Sequence, residues 1–369
     1  MKDAFKSNLP PRGQAFAAIA ALVLVILVPG CSTGTRLPST NATPVMNVLS
    51  LFTATNVPAM GFREPEIPLP DYMSNAVPVT DLPGKGLAQH PMLYFGEYYN
   101  RLFVINDGKV IWSYNTAPIY SPEIDDAWLL SNGDILFSRL SYAAEVNPQK
   151  KIVWRLDPEE GREIHTLQPI GLDKVLLIEQ GQPPKLMIIN KKTGAVELEH
   201  DLPDAGATHV QFRRVRMTAA GTFLVPFLSR SNVVEYDTNF NEIWHYQTTR
   251  PWAAVRLHNG NTLITDEHDK LTREVNPKGE TVWEFKLSDL PADIRPLNTQ
   301  TATRLANGDT IFSSQGVDPY FGKAAQLVEV TPDKKVVWVL KDWKDVGPST
   351  GVQVLDEPGI PEKPGDLMR

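Results

Sequence analysis

The chain has 369 residues, a formal net charge of −7, 42% hydrophobic residues and a single cysteine, Cys31. That content is enough for a large buried core, and a lone thiol leaves no disulfide to brace it. The negative balance opposes general nucleic-acid binding, which needs a positive field to displace counterions.

The N-terminus is a segment apart. Lys2, Lys6 and Arg12 form a basic start, and Ala15 to Val28 is an apolar run. The run is too short for a comfortable membrane span and suits the core of a signal peptide. It ends Leu27-Val28-Pro29-Gly30-Cys31, which resembles the lipobox of bacterial lipoproteins, in which the cysteine becomes the lipidated first residue. The expectation is a signal peptide over 1–30, lipidation at Cys31 and a membrane partner reached through that lipid. Ser32 in place of an aspartate favours the outer membrane or cell surface over the inner membrane. Removing residues 1–30 takes the net charge from −7 to −9.

Residues 31–85 carry Pro38, Pro44, Pro58, Pro65, Pro68, Pro70, Pro78 and Pro83 among Ser, Thr and Asn, with no sustained period. They read as a Pro-rich tether whose later part packs on the folded domain.

From about residue 90 a unit recurs six times. The clearest copy joins Arg256-Leu-His-Asn-Gly-Asn-Thr-Leu-Ile264 to Glu274-Val-Asn-Pro-Lys-Gly-Glu-Thr-Val-Trp283. Asn132-Gly133, Asn259-Gly260 and Asn307-Gly308 mark tight hairpins, because both residue types tolerate positive φ. Asp173-Lys174 and Ala220-Gly221 hold the same place in two weaker copies. Closing strands are expected near residues 112, 154, 198, 244, 283 and 338, five of them carrying Trp at those positions. Four short strands per unit at this spacing predict an all-β, six-bladed β-propeller with four-stranded antiparallel blades, spanning 86–357. The first unit lacks its leading strand, and Gly351-Val-Gln-Val-Leu355 is a spare one. Its insertion into blade one closes the ring and removes an open edge. Residues 358–369 are left as a C-terminal tail.

First strands line a propeller's channel, so equivalent positions on them form a ring. Counting eight residues before each turn selects Asp125, His165, Arg213, Trp252 and Gln300 in blades two to six. His209 stands just before Arg213-Arg214-Val-Arg216, on what should be blade four's first strand. Two readings of these residues compete. In one, Arg213, Arg214 and Arg216 pair with Asp125, Asp126 or Asp266 and the histidines are hydrogen-bonded supports. In the other, His165, His209 and the arginines hold a ligand. Convergence of His165, His209, Arg213 and Asp125 on one funnel, with a shifted histidine, would favour the second.

The pattern Arg-Leu-x-Asn-Gly followed by Glu-Val-x-Pro and a closing Trp resembles the repeats of PQQ-like, quinoprotein-type propeller lipoproteins. Within these it is most like the arylsulfotransferase-like group. The resemblance implies the propeller over about 90–355. Quinoprotein dehydrogenases of this kind bind pyrroloquinoline quinone and calcium, usually on eight blades with a vicinal disulfide. Six blades and no spare cysteine argue against the quinone here, and no cofactor is expected. Arylsulfotransferase chemistry would pass a sulfuryl group through a histidine held among cationic groups. Asp266-Glu267-His268-Asp269 is the densest polar run, but adjacent strand residues face opposite ways, so at most alternate members, such as Asp266 and His268, could share a metal. Tyr320 and Phe321 sit in the longest insertion, a reasonable place for recognition. There is no Gly-rich phosphate loop, His-Glu-x-x-His or Gly-x-Ser-x-Gly.

The expected function is therefore an envelope-anchored binding or scaffold module for a small molecule, glycan or envelope protein. An enzyme acting in the central channel is the alternative.

Overall fold

The computed structural model describes residues 48–53, 81–98, 100–116, 123–315 and 322–369. The signal segment, Cys31, most of the tether, and Tyr320 and Phe321 lie outside the described residues.

Six four-stranded antiparallel sheets follow one another along the chain. Blade one holds β1 (Met92–Phe95), β2 (Arg101–Asn106) and β3 (Lys109–Asn115). Blade two holds β4 (Ala127–Leu129), β5 (Ile135–Arg139), β6 (Tyr142–Val146) and β7 (Ile152–Leu156). Blade three holds β8 (Glu163–Ile170), β9 (Lys174–Gln180), β10 (Lys185–Asn190) and β11 (Val196–Asp201). Blade four holds β12 (Arg216–Met217), β13 (Phe223–Phe227), β14 (Asn232–Tyr236) and β15 (Glu242–Gln247). Blade five holds β16 (Pro251–Arg256), β17 (Thr262–Asp266), β18 (Leu271–Val275) and β19 (Thr281–Lys286). Blade six holds β20 (Thr301–Arg304), β21 (Thr310–Ser313), β22 (Leu327–Val330) and β23 (Val336–Leu340). The last strand, β24 (Gly351–Val354), pairs with β1, Met92 opposite Val354 and Phe95 opposite Gly351. The six-bladed propeller expected from the repeats is thus the observed fold, with the ring closed as the spare strand implied.

Burial follows from blade packing. Middle strands such as β5 and β13 are buried at every position, because neighbouring blades cover both faces. They therefore read as continuous apolar runs. Closing strands such as β11 and β15 alternate toward solvent.

The repeat signature has a physical basis at the blade interfaces. Three closing tryptophans reach into the next blade: Trp112 Nε1 donates to the Pro148 carbonyl at 2.9 Å, Trp244 to Pro277 at 3.1 Å and Trp283 to Pro332 at 2.9 Å. The Arg that opens the next unit lies over the same ring, Arg256 over Trp244 at 5.1 Å and Arg304 over Trp283 at 5.4 Å. That Arg also pairs with the third-strand Glu of the preceding blade, Arg304 with Glu274 at 2.9 Å and Arg256 with Glu235. Arg, Glu, Pro and Trp recur together because they meet as one clasp between blades. In the Asn-Gly turns only the glycine takes positive φ, at +91° in Gly133 and +95° in Gly308. The asparagine acts through its side chain: Asn132 Oδ1 accepts from the Asp134 N–H at 3.0 Å, an Asx-type turn.

Two stretches of the expected tether lie against the propeller. Val48, Leu49 and Phe52 join the core of blades one and two, with Phe52 5.5 Å from Trp112. Pro83 accepts the Val339 N–H at 3.0 Å. The segment after β24 is also ordered into the domain and runs round the turn face of the ring. Glu362 meets the Ser131 and Gly171 N–H groups, Gly365 accepts from His258, and the Met368 carbonyl accepts the Arg304 N–H. Arg369 then enters the channel, where it is buried over Trp128 at 4.2 Å.

Candidate functional site at the channel mouth

The five positions selected by register meet at the channel end opposite those turns. Asp125 precedes β4, His165 lies on β8, Trp252 on β16, and Gln300 precedes β20. Blade four departs from the expectation that Arg213 and His209 sit on its first strand. β12 covers only Arg216 and Met217, and His209 sits on a 3₁₀ turn, Thr208–Val210. The cause lies in blade three, whose side chains capture this backbone. Gln180 Oε1 accepts the Gln211 and Phe212 N–H groups at 3.1 Å, and the Thr166 hydroxyl accepts from Val215 at 3.0 Å. Satisfied by side chains, the segment does not extend the ladder.

His165 is the hub. It is fully buried, with Nδ1 2.5 Å from Asp125 Oδ2 and Nε2 2.8 Å from Glu163 Oε2. Glu163 also accepts from His209 Nδ1 at 3.0 Å, and the two imidazoles stand 5.1 Å apart. An Asp125–His165–Glu163–His209 chain therefore runs from the buried wall to a half-exposed histidine. Opposite it, Arg213 lies 4.8 Å over the Trp252 ring and donates Nη1 to the His209 and Phe212 carbonyls. Glu97, from the β1–β2 loop, accepts from Gln300 and Gln315.

The charges at the mouth are unevenly compensated. Burial pushes the Glu97 carboxyl well above its ordinary range, reinforced by the charges of Asp125 and Glu123. Glu123 is raised for the same reasons. Burial also acts to raise Asp125, but the His165 hydrogen bond and the charges of His165, Arg213 and Arg214 outweigh it and hold Asp125 low. Burial opposes ionisation of Glu163 as well, and its bonds to His165 and His209 overcome it. The Glu163 bond raises His209 above the usual imidazole range.

Below the mouth the remaining arginines are consumed. Arg216 Nη1 lies 2.8 Å from Asp126 Oδ2, Arg214 Nη1 3.6 Å and Arg369 Nη2 3.9 Å from Asp126 Oδ1. Asp126 is fully buried and answers three guanidinium groups. The ion-pair reading thus describes Arg214 and Arg216 with Asp126, while Arg213 forms no ion pair within 4 Å among the described residues. Arg214, Arg216 and the inserted Arg369 form a buried layer beneath the mouth, Arg216 Nε donating to the Arg369 carbonyl at 2.9 Å.

Four buried polar atoms of the ring find no protein partner: Asp125 Oδ1, Arg213 Nε, Trp252 Nε1 and Gln300 Oε1. An unpaired buried polar atom costs about 1–3 kcal/mol, so four in one cup are expensive unless something else meets them.

Asp266 and His268 are not brought together. Asp266 is buried and accepts from Thr248, Thr249, Arg250 and Asp269, which caps a loop. His268 is exposed and faces Asp269 at 2.9 Å. Glu123, Glu163, Glu97 and Gln315 were not selected by register. Glu123 and Glu163 stand two residues before Asp125 and His165, so the period-two rule would have placed them on the same face. Glu97 and Gln315 come from loops with no periodic signal.

No family model matches the chain, and no curated protein matches it. Among solved structures it is similar to a protein of unknown function from Bacteroides caccae, with 23% identity over 71% of this chain and 97% of that one, at a TM-score of 0.64. A virginiamycin B lyase from Staphylococcus aureus matches at 12% identity over 71% and 88%, TM-score 0.49. A streptogramin B lyase matches at 11% over 71% and 85%, TM-score 0.49. At such identities the likeness speaks for architecture alone, and what it adds to the geometry is that this chain is a β-propeller protein.

Proposed function

We propose that this protein is a lipid-anchored propeller of the bacterial envelope that binds a small polar ligand in its channel mouth. The observation that carries this reading is the convergence of one register position from five blades on a cup with four unpartnered buried polar atoms. Trp252 supplies a flat apolar face, and Glu97, Asp125 and Gln300 supply acceptors, a combination suited to a glycan or an amine-bearing compound. Lipid on Cys31 would keep the cup at the membrane surface, with the segment from 31 onward as its leash.

Sites built for ligands sacrifice stability, and their variants are often more stable. In chelator, Glu97→Gln in the full-length protein is therefore expected to hold or raise stability, by about 0.5–2 kcal/mol. A thermal-shift panel of glycans, amines and aryl sulfates should contain a compound that raises the melting temperature of wild type but not of Trp252→Ala. If Glu97→Gln and Gln300→Ala both destabilise, and no compound discriminates, the mouth is merely a joint between blades.

An enzyme acting in the mouth is the second reading, favoured by the Asp125–His165–Glu163–His209 chain. His209, half-exposed and raised, is the natural acid or base of such a chain. The arylsulfotransferase-like resemblance would ask for cations around a sulfate, and of the three arginines only Arg213 reaches this level. Proton transfer suits the cup better than sulfuryl transfer.

A further inference from the structure

The turn face of the ring, opposite the channel mouth, has a composition of its own. Nine large hydrophobic side chains are exposed among the described residues, and eight of them stand on this face. Val110, Val153, Val196, Ile243 and Val282 each fall within the first two residues of a closing strand, just after the turn that leads into it. Leu172 lies in the β8–β9 turn. Leu51 covers Gly133 in the β4–β5 turn, where a Cβ would come within 2.8 Å of its Cδ1. Ile360 stands two residues before Glu362, whose carbonyl accepts the Gly171 N–H at 2.8 Å, next to Leu172. Tyr98 is the one of the nine at the mouth end. Single exposed hydrophobics need no explanation, but a distribution confined to one side does.

Lysines flank these aliphatic side chains. The turns between third and fourth strands, residues 107–108, 147–151, 191–195, 237–241, 276–280 and 331–335, hold seven lysines and four carboxylates in a chain of net charge −7. Lys191 is spent on Glu145 and Lys192 on Asp173, while Lys151, Lys278, Lys334 and Lys335 stand exposed at the rim. The inner turns carry Asp134, Asp173 and Asp309, so the lysines belong to the rim and not to the centre of the face. A rim of short aliphatics with long cationic side chains beside them is the composition of a surface that rests in a lipid headgroup layer, apolar groups inward and ammonium groups at the phosphates.

The leash decides what covers this face. Leu51 is seated on the Gly133 turn and Phe52 lies 5.5 Å from Trp112, so the chain that follows Cys31 first reaches the propeller here. Cys31 stands seventeen residues before Val48. The ends of a flexible chain of that length lie about 25 Å apart, and full extension gives at most about 60 Å. A propeller anchored at Cys31 is therefore held with its turn face nearest the lipid.

We propose that the turn face docks on the bilayer surface, with Leu51, Leu172, Ile360 and the rim aliphatics in the headgroup layer and the rim lysines at lipid phosphates. This rests on the lipid anchor at Cys31 put forward above and gives the anchored molecule an orientation. The channel mouth points away from the membrane and takes its ligand from the aqueous side. The segment that crosses the turn face and inserts Arg369 stands between lipid and channel.

The test is a lysine-acylation footprint, read by mass spectrometry, of the full-length protein on phosphatidylethanolamine–phosphatidylglycerol vesicles. The protein is held there by its own lipid or, where the thiol is free, by a maleimide lipid coupled to Cys31, its single cysteine. Lys151, Lys278 and Lys334 should react at least fivefold more slowly on vesicles than in detergent, while Lys270 and Lys344 near the mouth change less than twofold. In the triple variant Leu51→Glu/Leu172→Glu/Ile360→Glu, all three exposed positions, the protection should fall at least threefold, with circular dichroism unchanged. Equal reactivity of the two lysine sets on vesicles, or protection of Lys270 and Lys344 instead, overturns the proposal. Protection that grows with the protein-to-lipid ratio and survives the triple variant also overturns it, since a second copy and not lipid would then cover the face. A chain that reaches vesicles only through the maleimide lipid, yet still shows the footprint, removes the natural anchor and leaves the docking face standing.

Discussion

His90 Nε2 lies 3.1 Å from Glu329 Oε2, and this contact fastens blade one to blade six. His90 precedes β1 and Glu329 lies on β22, while the second ring nitrogen faces Asp356, just beyond β24. Glu357 adds its charge nearby. Burial alone would lower the imidazole, but the bonds to Asp356 and Glu329 prevail and raise it to about 9. A histidine raised above its unfolded value of 6.5 contributes its full stability below that pH and loses it as pH climbs through the folded value. Unfolding free energy should therefore fall between pH 6.5 and 9, by about 2 kcal/mol once partial solvent screening is allowed for. His90→Gln should flatten that slope, which denaturant titrations at several pH values would measure.

The interblade clasp predicts coupling between residues far apart in sequence. Arg304→Ala removes the ion pair to Glu274 and the cation over Trp283 together. A loss of about 1–2 kcal/mol is expected. In a double-mutant cycle with Glu274→Gln, the interaction energy should exceed about 0.5 kcal/mol, since the pair is in direct contact. A cycle between Arg304 and Glu235, which belong to different interfaces, should be additive.

Asp126 answers three arginines and has no substitute. Asp126→Asn leaves several buried guanidinium groups without their counter-charge and should cost about 3–5 kcal/mol. Arg369→Ala removes only the guanidinium farthest from Asp126, at 3.9 Å, and should cost clearly less. Equal losses in chemical denaturation would mean that the inserted arginine, not the aspartate, organises the floor.

Lipidation is tested by labelled fatty-acid incorporation. Label should enter the wild-type chain in a bacterial host and be absent from Cys31→Ser, which should also leave the membrane fraction. Label retained in that variant would remove the anchor from the proposal.

Much of this architecture is written in the repeats. The Asn-Gly turns set the hairpins, the six closing strands set the blade count, and a fixed count back from each turn found Asp125, His165, Arg213, Trp252 and Gln300. That count worked because register in a sheet is a local property. It missed Glu97 and Gln315, which reach the mouth from loops whose course depends on tertiary contacts. It misjudged blade four, where Gln180 and Thr166 of another blade decide how residues 211–215 run. The path of residues 358–369 was illegible for a related reason. That segment has no apolar period, and its partners are backbone groups and side chains offered by blades two to six.

The pairing of β24 with β1 also has a bearing on how the molecule is made. Met92 waits for Val354, so the first blade to leave the ribosome is the last to be completed. Until then β1 exposes a bare edge, and the closing contact carries the largest loop-closure entropy of any sheet contact in the ring. A chain that emerges in order must therefore hold five finished blades and one unfinished one, and a helper that shields an open strand would find its target at residues 92–95.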